Sequence, residues 1–291
     1  MNILITGSAG FLGQTLVPHL QALGHFIIGV DLNLDTLSNQ FIQQDLREGI
    51  PHLKKEISVC IHLASYVGGI LSNNRESGQE VYELSLLESV RQFFFQQSCS
   101  RILYTSSINV FENNPDYTHG PLTLLNQRSP YARAKAKGEE FIQKNFQSYG
   151  IIRPTNLFGK NQTTHKSDTI GSSHVIPELL KKIMQPTDEL EVLGDGQQIR
   201  NFIHVSDVSR FLEIILEQPS RGWYNLRSNI HLSILELAQS LNKFKGTKKK
   251  IVFKPEYLEY EPIPIQMFDM AIPERTGWKA LISNMVDGLN Q

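Results

Sequence analysis

Met1-Asn-Ile-Leu-Ile-Thr6 runs straight into Gly7-Ser-Ala-Gly10-Phe-Leu-Gly13, and then into Gln14-Thr-Leu-Val-Pro-His-Leu-Gln-Ala-Leu23 before Gly24. The first piece is a short apolar run of strand length. The last carries apolar residues at helical spacing and stops at a glycine. Three glycines at G-x-x-G-x-x-G spacing therefore stand between a strand and a helix. That arrangement suits a pyrophosphate. The first glycine makes the sharp turn, the second lets backbone approach the phosphates, and the third lets helix and strand pack closely. The helix N-terminus adds N–H groups without intrahelical partners and partial positive charge.

A second strand, His25-Phe-Ile-Ile-Gly-Val30, follows and ends in Asp31. An acid about 20 residues past the glycines can accept both ribose hydroxyls of an adenosine. It also repels a 2′-phosphate, which favours NAD over NADP. To about residue 160 the pattern goes on alternating. Short strands are expected at Gln40–Asp45, Ile57–Leu63, Arg101–Thr105 and from Ile151-Ile152 into Arg153-Pro-Thr-Asn156. Gln79–Gln97 reads as a helix with Val81, Leu84, Leu87 and Val90 on its inner stripe. Ser129-Pro130 starts another, expected to run to Tyr149 and to end at Gly150. Further on, Glu191–Arg200 has a two-strand look around Gly194-Asp-Gly196, and Ser206-Asp207 can cap a helix Val208–Glu217.

Alternation of this kind predicts an α/β protein, a Rossmann doubly wound parallel sheet with its ligand crevice beyond the C-terminal strand ends. The expected division is residues 1–160, with a return segment at about 200–228, for the dinucleotide-binding domain. Residues 161–199 and 229–291 form a smaller C-terminal substrate-binding domain.

Composition narrows the field. The 291 residues include 28 basic and 29 acidic ones, a net charge of −1, so bulk charge gives no reason to expect nucleic acid. The longest basic run is Lys248-Lys-Lys250. Cys60 and Cys99 make neither a disulfide framework nor a metal site, and no metal is expected. No apolar stretch approaches the ~20 residues of a membrane span. The chain opens in a strand rather than a signal peptide, so the expectation is a cytoplasmic protein away from the membrane.

Tyr131-Ala-Arg-Ala-Lys135 is the main candidate for chemistry. Tyrosine and lysine at i and i+4 share one helix face. A free phenol titrates near ~10 and is a poor base at neutral pH. A neighbouring ammonium, helped by an oxidised nicotinamide's positive charge, favours the phenolate. Tyr131 can then accept a hydroxyl proton as hydride leaves the same carbon. Ser107, at a strand end bordering the same crevice, can hydrogen-bond that oxygen. His62, within a strand, reads as a core histidine. His174 is balanced between a crevice-facing acid or phosphate donor and a residue at a helix start. Arg200 is balanced between a diphosphate partner and a surface ion pair.

In order along the chain, Gly7-x-x-Gly10-x-x-Gly13, Asp31, Asp45-Leu46, His62-Leu-Ala-Ser65, Ser106-Ser107, Tyr131-x-x-x-Lys135, Arg153-Pro-Thr-Asn156, Gly194-Asp-Gly-Gln-Gln-Ile-Arg-Asn-Phe-Ile-His-Val-Ser-Asp-Val208 and Thr276-Gly-Trp278 resemble the extended short-chain dehydrogenase/reductase superfamily. The likeness is to its NAD-dependent nucleotide-sugar epimerase/dehydratase group and covers nearly the whole chain. It implies NAD held by Gly7, Gly10, Phe11, Leu12, Gly13, Asp31, Asp45, Leu46, Leu63, Ala64, Ser65, Tyr131 and Lys135. It implies catalysis by Ser107, Tyr131 and Lys135. It implies a GDP-, UDP- or dTDP-linked sugar touched by Asn156, His174, Val175 and Arg200, and a homodimer built on the helices Gln79–Gln97 and Pro130–Tyr149.

Two stretches resemble the GDP-fucose synthase class within that group: Val67-Gly-Gly-Ile70 with Asn73-Asn74, and Ser173-His-Val-Ile-Pro177. That class epimerises with a cysteine and a histidine. His174 matches the histidine, but Asn109 stands where the cysteine is expected and cannot shuttle protons. The dehydratases carry Asp-Glu where this chain has Ser106-Ser107. The expected activity is therefore NAD-dependent epimerisation by transient oxidation of a sugar hydroxyl, at C4. Reduction of a 4-keto nucleotide sugar is the alternative.

Overall fold

The computed structural model describes residues 1–67, 78–113, 120–123, 126–160, 162, 174–218 and 221–255. Gly68-Gly69, Asn73-Asn74, Ser173, Thr276-Gly-Trp278 and most of the loop expected at Lys160–Ser173 lie outside the described residues.

The strands are β1 Asn2–Thr6, β2 Phe26–Asp31, β3 Gln40–Gln43, β4 Val59–His62, β5 Arg101–Thr105, β6 Tyr149–Pro154, β7 Asn156–Phe158, β8 Glu189–Leu193, β9 Ile199–His204, β10 Gly222–Leu226, β11 His231–Ser233 and β12 Lys250–Lys254. The helices are α1 Gly13–Ala22, α2 Gln79–Gln97, α3 Pro130–Asn145, α4 Val175–Met184, α5 Val205–Ile215 and α6 Ile234–Phe244.

Seven strands form one sheet in the order β10-β6-β5-β4-β1-β2-β3, and every pairing in it is parallel. Strands buried on both faces read as continuous apolar runs rather than alternating ones, as β1, β4 and β5 do. One face packs Ile3, Ile5, Ile61 and Leu103 against Leu16 and Leu20 of α1 and Val208 and Leu212 of α5. The other packs Leu4, Cys60, Ile102 and Tyr104 against Leu86, Leu87, Val90 and Phe93 of α2 and Ile142 of α3. The strand order reverses at β1, between β2 and β4. That switch point opens a crevice at the carboxyl ends of β1 and β4.

A smaller body carries the three-stranded sheet β11-β9-β7 and the pair β12-β8. Its core holds Leu179, Leu180 and Ile183 of α4 with Leu237 and Leu241 of α6.

Four local expectations are corrected. The helix from Pro130 ends at Asn145, and Tyr149 and Gly150 already belong to β6. There the close neighbour strand decides: a Cβ at Gly150 would lie 2.9 Å from a Leu103 methyl. The inner stripe of α2 is Glu83, Leu86, Leu87, Val90 and Phe93, while Val81 is 73% exposed. The segments flanking Gly194-Asp-Gly196 are strands but do not pair. β8 runs parallel to β12, and β9 joins β7 and β11. Finally, α5 starts at Val205 and is capped by His204, whose Nδ1 accepts from Ser206 N; Asp207 sits inside the helix, paired with Arg210.

Two histidines are buried in the neutral form. His62 Nδ1 lies 2.7 Å from Thr6 Oγ1. Burial lowers its pKa from 6.5 to about 4, with smaller opposed effects from Glu83 and Lys135. Burial, then the Arg210 charge, lowers His204 from 6.5 to about 4. Below pH 6.5 the unfolded chain therefore takes up protons that the fold refuses. Stability should fall as pH drops from 6.5 to about 4, by up to about 3 kcal/mol for each histidine. Urea unfolding across that window should show the midpoint falling steadily. A flat midpoint would mean that both rings are protonated inside the fold.

Candidate active site

The crevice at the switch point opens into a cavity of about 720 Å³. The residues expected to hold cofactor, to act on substrate and to touch the nucleotide sugar all line it, from Gly7, Asp31 and Ala64 at one end to His174, Val175 and Arg200 at the other.

The glycine turn is built for close packing. Gly7 has φ +76°, and a Cβ on it would fall 2.6 Å from Ala64 N. A Cβ on Gly13 would fall 2.3 Å from Ser8 O and 2.5 Å from Gly7 O. These positions exclude a side chain on backbone grounds alone, while Gly10 bonds back to Gly7 O through its N–H at 3.1 Å and lines the cavity. Asp31 sits at the end of β2 and its two oxygens accept from Ala9 N at 3.0 Å and Asn33 N at 2.9 Å. Burial raises its pKa, and those backbone donors act against the rise. The turn is thus tied to the acid that follows it. A cradle that a Cβ would fill, beside a carboxylate at the β2 terminus, fits a dinucleotide. Asp45 caps the short 3-10 turn Leu46–Glu48 and forms a two-pronged ion pair with Arg47 at the same end of the cavity.

At the centre, Ser129 caps α3 by accepting from Ala132 N at 3.2 Å, with Pro130 in the first turn. This places Tyr131 half-buried on the cavity wall and Lys135 one turn further in. Ser107 ends the segment after β5 and accepts from Asn109 N at 3.2 Å. Burial raises the Tyr131 pKa; the Lys135 charge and the Ser107 hydroxyl act to lower it, and Glu83 raises it again. The net shift is upward, opposite to what the Tyr–Lys spacing predicts. Lys135 Nζ donates to Glu83 Oε1 at 2.8 Å and to Thr105 O at 3.0 Å, and its side chain is only 3% exposed. Its charge is shared with a carboxylate before it reaches the phenol.

Glu83, the buried partner of Lys135, is a residue beside the site that the sequence did not disclose. The signal was present: a carboxylate at position 83 shares a helical stripe with Leu86, Leu87 and Val90, and a charge at a core-facing position needs a partner. His62 is a core residue, as expected.

At the far end, His174 is the N-cap residue of α4. Arg200 Nη2 donates to Gln198 Oε1 at 3.2 Å, and Asn156 Nδ2 to Asn201 O at 3.0 Å. Both line the cavity, together with Lys182, whose Nζ lies 3.7 Å from Glu178. Below the site, Arg153 is fully buried and bonds Glu139 through Nε at 2.8 Å and Nη2 at 2.6 Å. Ser106 donates to the same carboxylate at 2.6 Å. Among the described residues no cluster of three His, Cys, Asp or Glu could hold a metal ion, and no helix is long and apolar enough to cross a membrane.

Known proteins are similar to this chain in sequence and in fold. GDP-L-fucose synthase of Escherichia coli is 26% identical, over 97% of this chain and 92% of its own length. Human dTDP-D-glucose 4,6-dehydratase is 27% identical, over 82% of this chain and 73% of its own length. The UDP-glucose 4-epimerase of Thermotoga maritima, solved with UDP-glucose, has the same fold, with a TM-score of 0.72 at 21% identity over 100% of this chain and 99% of that one. The model of one family matches residues 3–230 and takes in the glycine turn, the Tyr131–Lys135 pair and part of the smaller body: the chain belongs to the NAD dependent epimerase/dehydratase family.

Proposed function

We propose that this protein is an NAD-dependent epimerase of a GDP-, UDP- or dTDP-linked sugar that acts by transient oxidation of a hydroxyl, at C4. The observation that carries the reading is that Tyr131, Lys135 and Ser107 line the same cavity as the glycine turn and Asp31 on one side and Asn156, His174 and Arg200 on the other. Held by the glycine turn, Asp31 and Lys135, NAD would supply a hydride acceptor, and then donor, for the sugar carbon. The chain supplies the rest. Asp31 accepts the adenosine ribose hydroxyls. Tyr131 takes the proton of the sugar hydroxyl and later gives it back, Ser107 hydrogen-bonds that oxygen, and Lys135 steadies both phenolate and ribose. Arg200, with His174 and Asn156, holds the nucleotide end. The same reading keeps the two-part division of the chain, with residues 161–199 and 229–291 as the sugar-nucleotide domain. The working form is a cytoplasmic homodimer built on the outer faces of α2 and α3.

A redox-neutral cycle keeps its cofactor. Denatured protein should release NAD, identified by mass, and the intact protein should interconvert two nucleotide sugars with no cofactor added. The alternative, reduction of a 4-keto nucleotide sugar, is favoured by the likeness to GDP-L-fucose synthase and by His174 on the cavity wall. It requires stoichiometric consumption of added reduced nicotinamide, read by its absorbance. Asn109, which lines the cavity where a proton-shuttling cysteine would be needed, argues against a double epimerisation preceding that reduction.

A further inference from the structure

Glu83 lies in the second turn of α2, with its side chain only 2% exposed, on the stripe that packs against the sheet. Both of its oxygens are engaged. Oε1 accepts from Lys135 Nζ at 2.8 Å and from the Tyr104 hydroxyl at 2.7 Å, and Oε2 accepts from Ser65 Oγ at 2.6 Å. The fold makes room for this cluster. A Cβ on Gly138 of α3 would stand 2.1 Å from the Tyr104 hydroxyl, so the missing side chain lets the phenol reach the carboxylate. Burying an ion pair costs desolvation of both charges, and an apolar pair of similar volume is often as stable. A core position beside the glycine crevice gains little stability from a carboxylate there, so its chemistry calls for another account.

We propose that Glu83 is a positioning residue of the catalytic site, which fixes the Lys135 ammonium against the end of β5 and offsets part of its charge, so that Tyr131 is kept protonated until an oxidised nicotinamide adds positive charge. The proposal rests on the reading of Tyr131 as the base. Lys135 has three N–H donors. Glu83 and Thr105 O take two, which leaves one to point at the ribose or the phenolate. Among the described residues the groups that act on the phenol are Lys135 on its own helix, Ser107 after β5, and Glu83 from α2. Behind them stand Tyr104, His62 and Glu139. His62 is buried and neutral, and Glu139 is committed to Arg153. Burial works against ionisation of Glu83, but the Lys135 charge and the donors on its oxygens bring its pKa below the ordinary value. The Glu83 carboxylate therefore offsets part, and not all, of the positive charge that Lys135 presents to the phenol.

The test is a titration of cofactor-free protein by NMR with tyrosine labelled at the ring carbon that bears oxygen. The Tyr131 signal is assigned among the nine tyrosines by its loss in Tyr131→Phe. In the parent its midpoint should lie above 10.0. Glu83→Gln keeps an acceptor for Lys135 and removes the opposing charge, so the midpoint should fall by about one pH unit or more. Glu83→Asp keeps the charge and should stay near the parent. The double variant Glu83→Gln/Lys135→Met carries neither charge and should titrate at or above the parent midpoint, since Lys135 acts on the phenol more strongly than Glu83, which keeps the proposal exposed even where Glu83→Gln folds poorly. An unmoved or raised midpoint in Glu83→Gln, or a double variant more than about one unit below the parent, overturns it. The readout needs no substrate. Should the charge cycle fail while Tyr131→Phe still abolishes turnover, only the role of Glu83 is lost and the reading of the base stands.

Discussion

Tyr131→Phe should lose about two to four orders of magnitude in turnover while still binding NAD. Phenylalanine keeps the ring on the cavity wall and removes one oxygen, so packing and the glycine turn are undisturbed. The sugar hydroxyl then has no group to receive its proton. Ser107 cannot replace it, because its Oγ is already an acceptor for Asn109 N and its hydroxyl is a far weaker base than a phenolate. Epimerisation rate and NAD retention should be measured on the same sample. A variant that keeps both would place the base elsewhere on the cavity wall. One that loses both would show the oxygen to be part of the cofactor site rather than the chemistry.

Arg153→Met should cost about 3–5 kcal/mol of stability. Arg153 is fully exposed to protein and not at all to water, and it gives Glu139 two bonds while Nη2 also holds Gly120 O at 2.9 Å. Methionine fills much of the volume but leaves the Glu139 carboxylate, itself 1% exposed, with Ser106 and without its cation. The damage is the stranded charge rather than the lost contact. Arg153→Met/Glu139→Gln should therefore recover most of the loss, and a double-mutant cycle by urea unfolding measures the difference. Additive losses would show that the two residues act separately. Ser106 links this network to Ser107 and the cavity, so Arg153→Met should also raise KM.

What the sequence disclosed, and what it hid, follows from how locally each feature is determined. The β1–turn–α1 unit was legible because it is continuous, and its constraint lies in neighbouring backbone: Gly7 and Gly13 have no space for a Cβ. Asp31, Ser107, Tyr131 and Lys135 were legible because each follows a strand end or a helix cap at a fixed offset, and the topology brings all such ends to one crevice. Features set by distant partners were not. The end of α3 at Asn145 depends on Tyr149 and Gly150 pairing with β5 and β10. The strands around Gly194-Asp-Gly196 look like a hairpin locally, but β12, about 55 residues on in the chain, takes β8 away from β9. Glu83 was hidden because Val81 and Leu84 suggest an apolar stripe turned slightly around the helix. Only the position of Lys135, on another helix, shows which stripe faces inward.

In the proposed reaction one sugar carbon is oxidised and reduced again in the same cavity, with Tyr131 handling the proton. Nucleotide hexoses carrying deuterium on C4 test it in a single measurement. The account predicts an epimer that retains the label on C4, with no deuterium exchanged at any carbon when the reaction is run in labelled or unlabelled water. Loss of the C4 label, or solvent deuterium at the carbons beside it, would contradict the account, for the inversion would then proceed by proton exchange rather than by hydride leaving and returning.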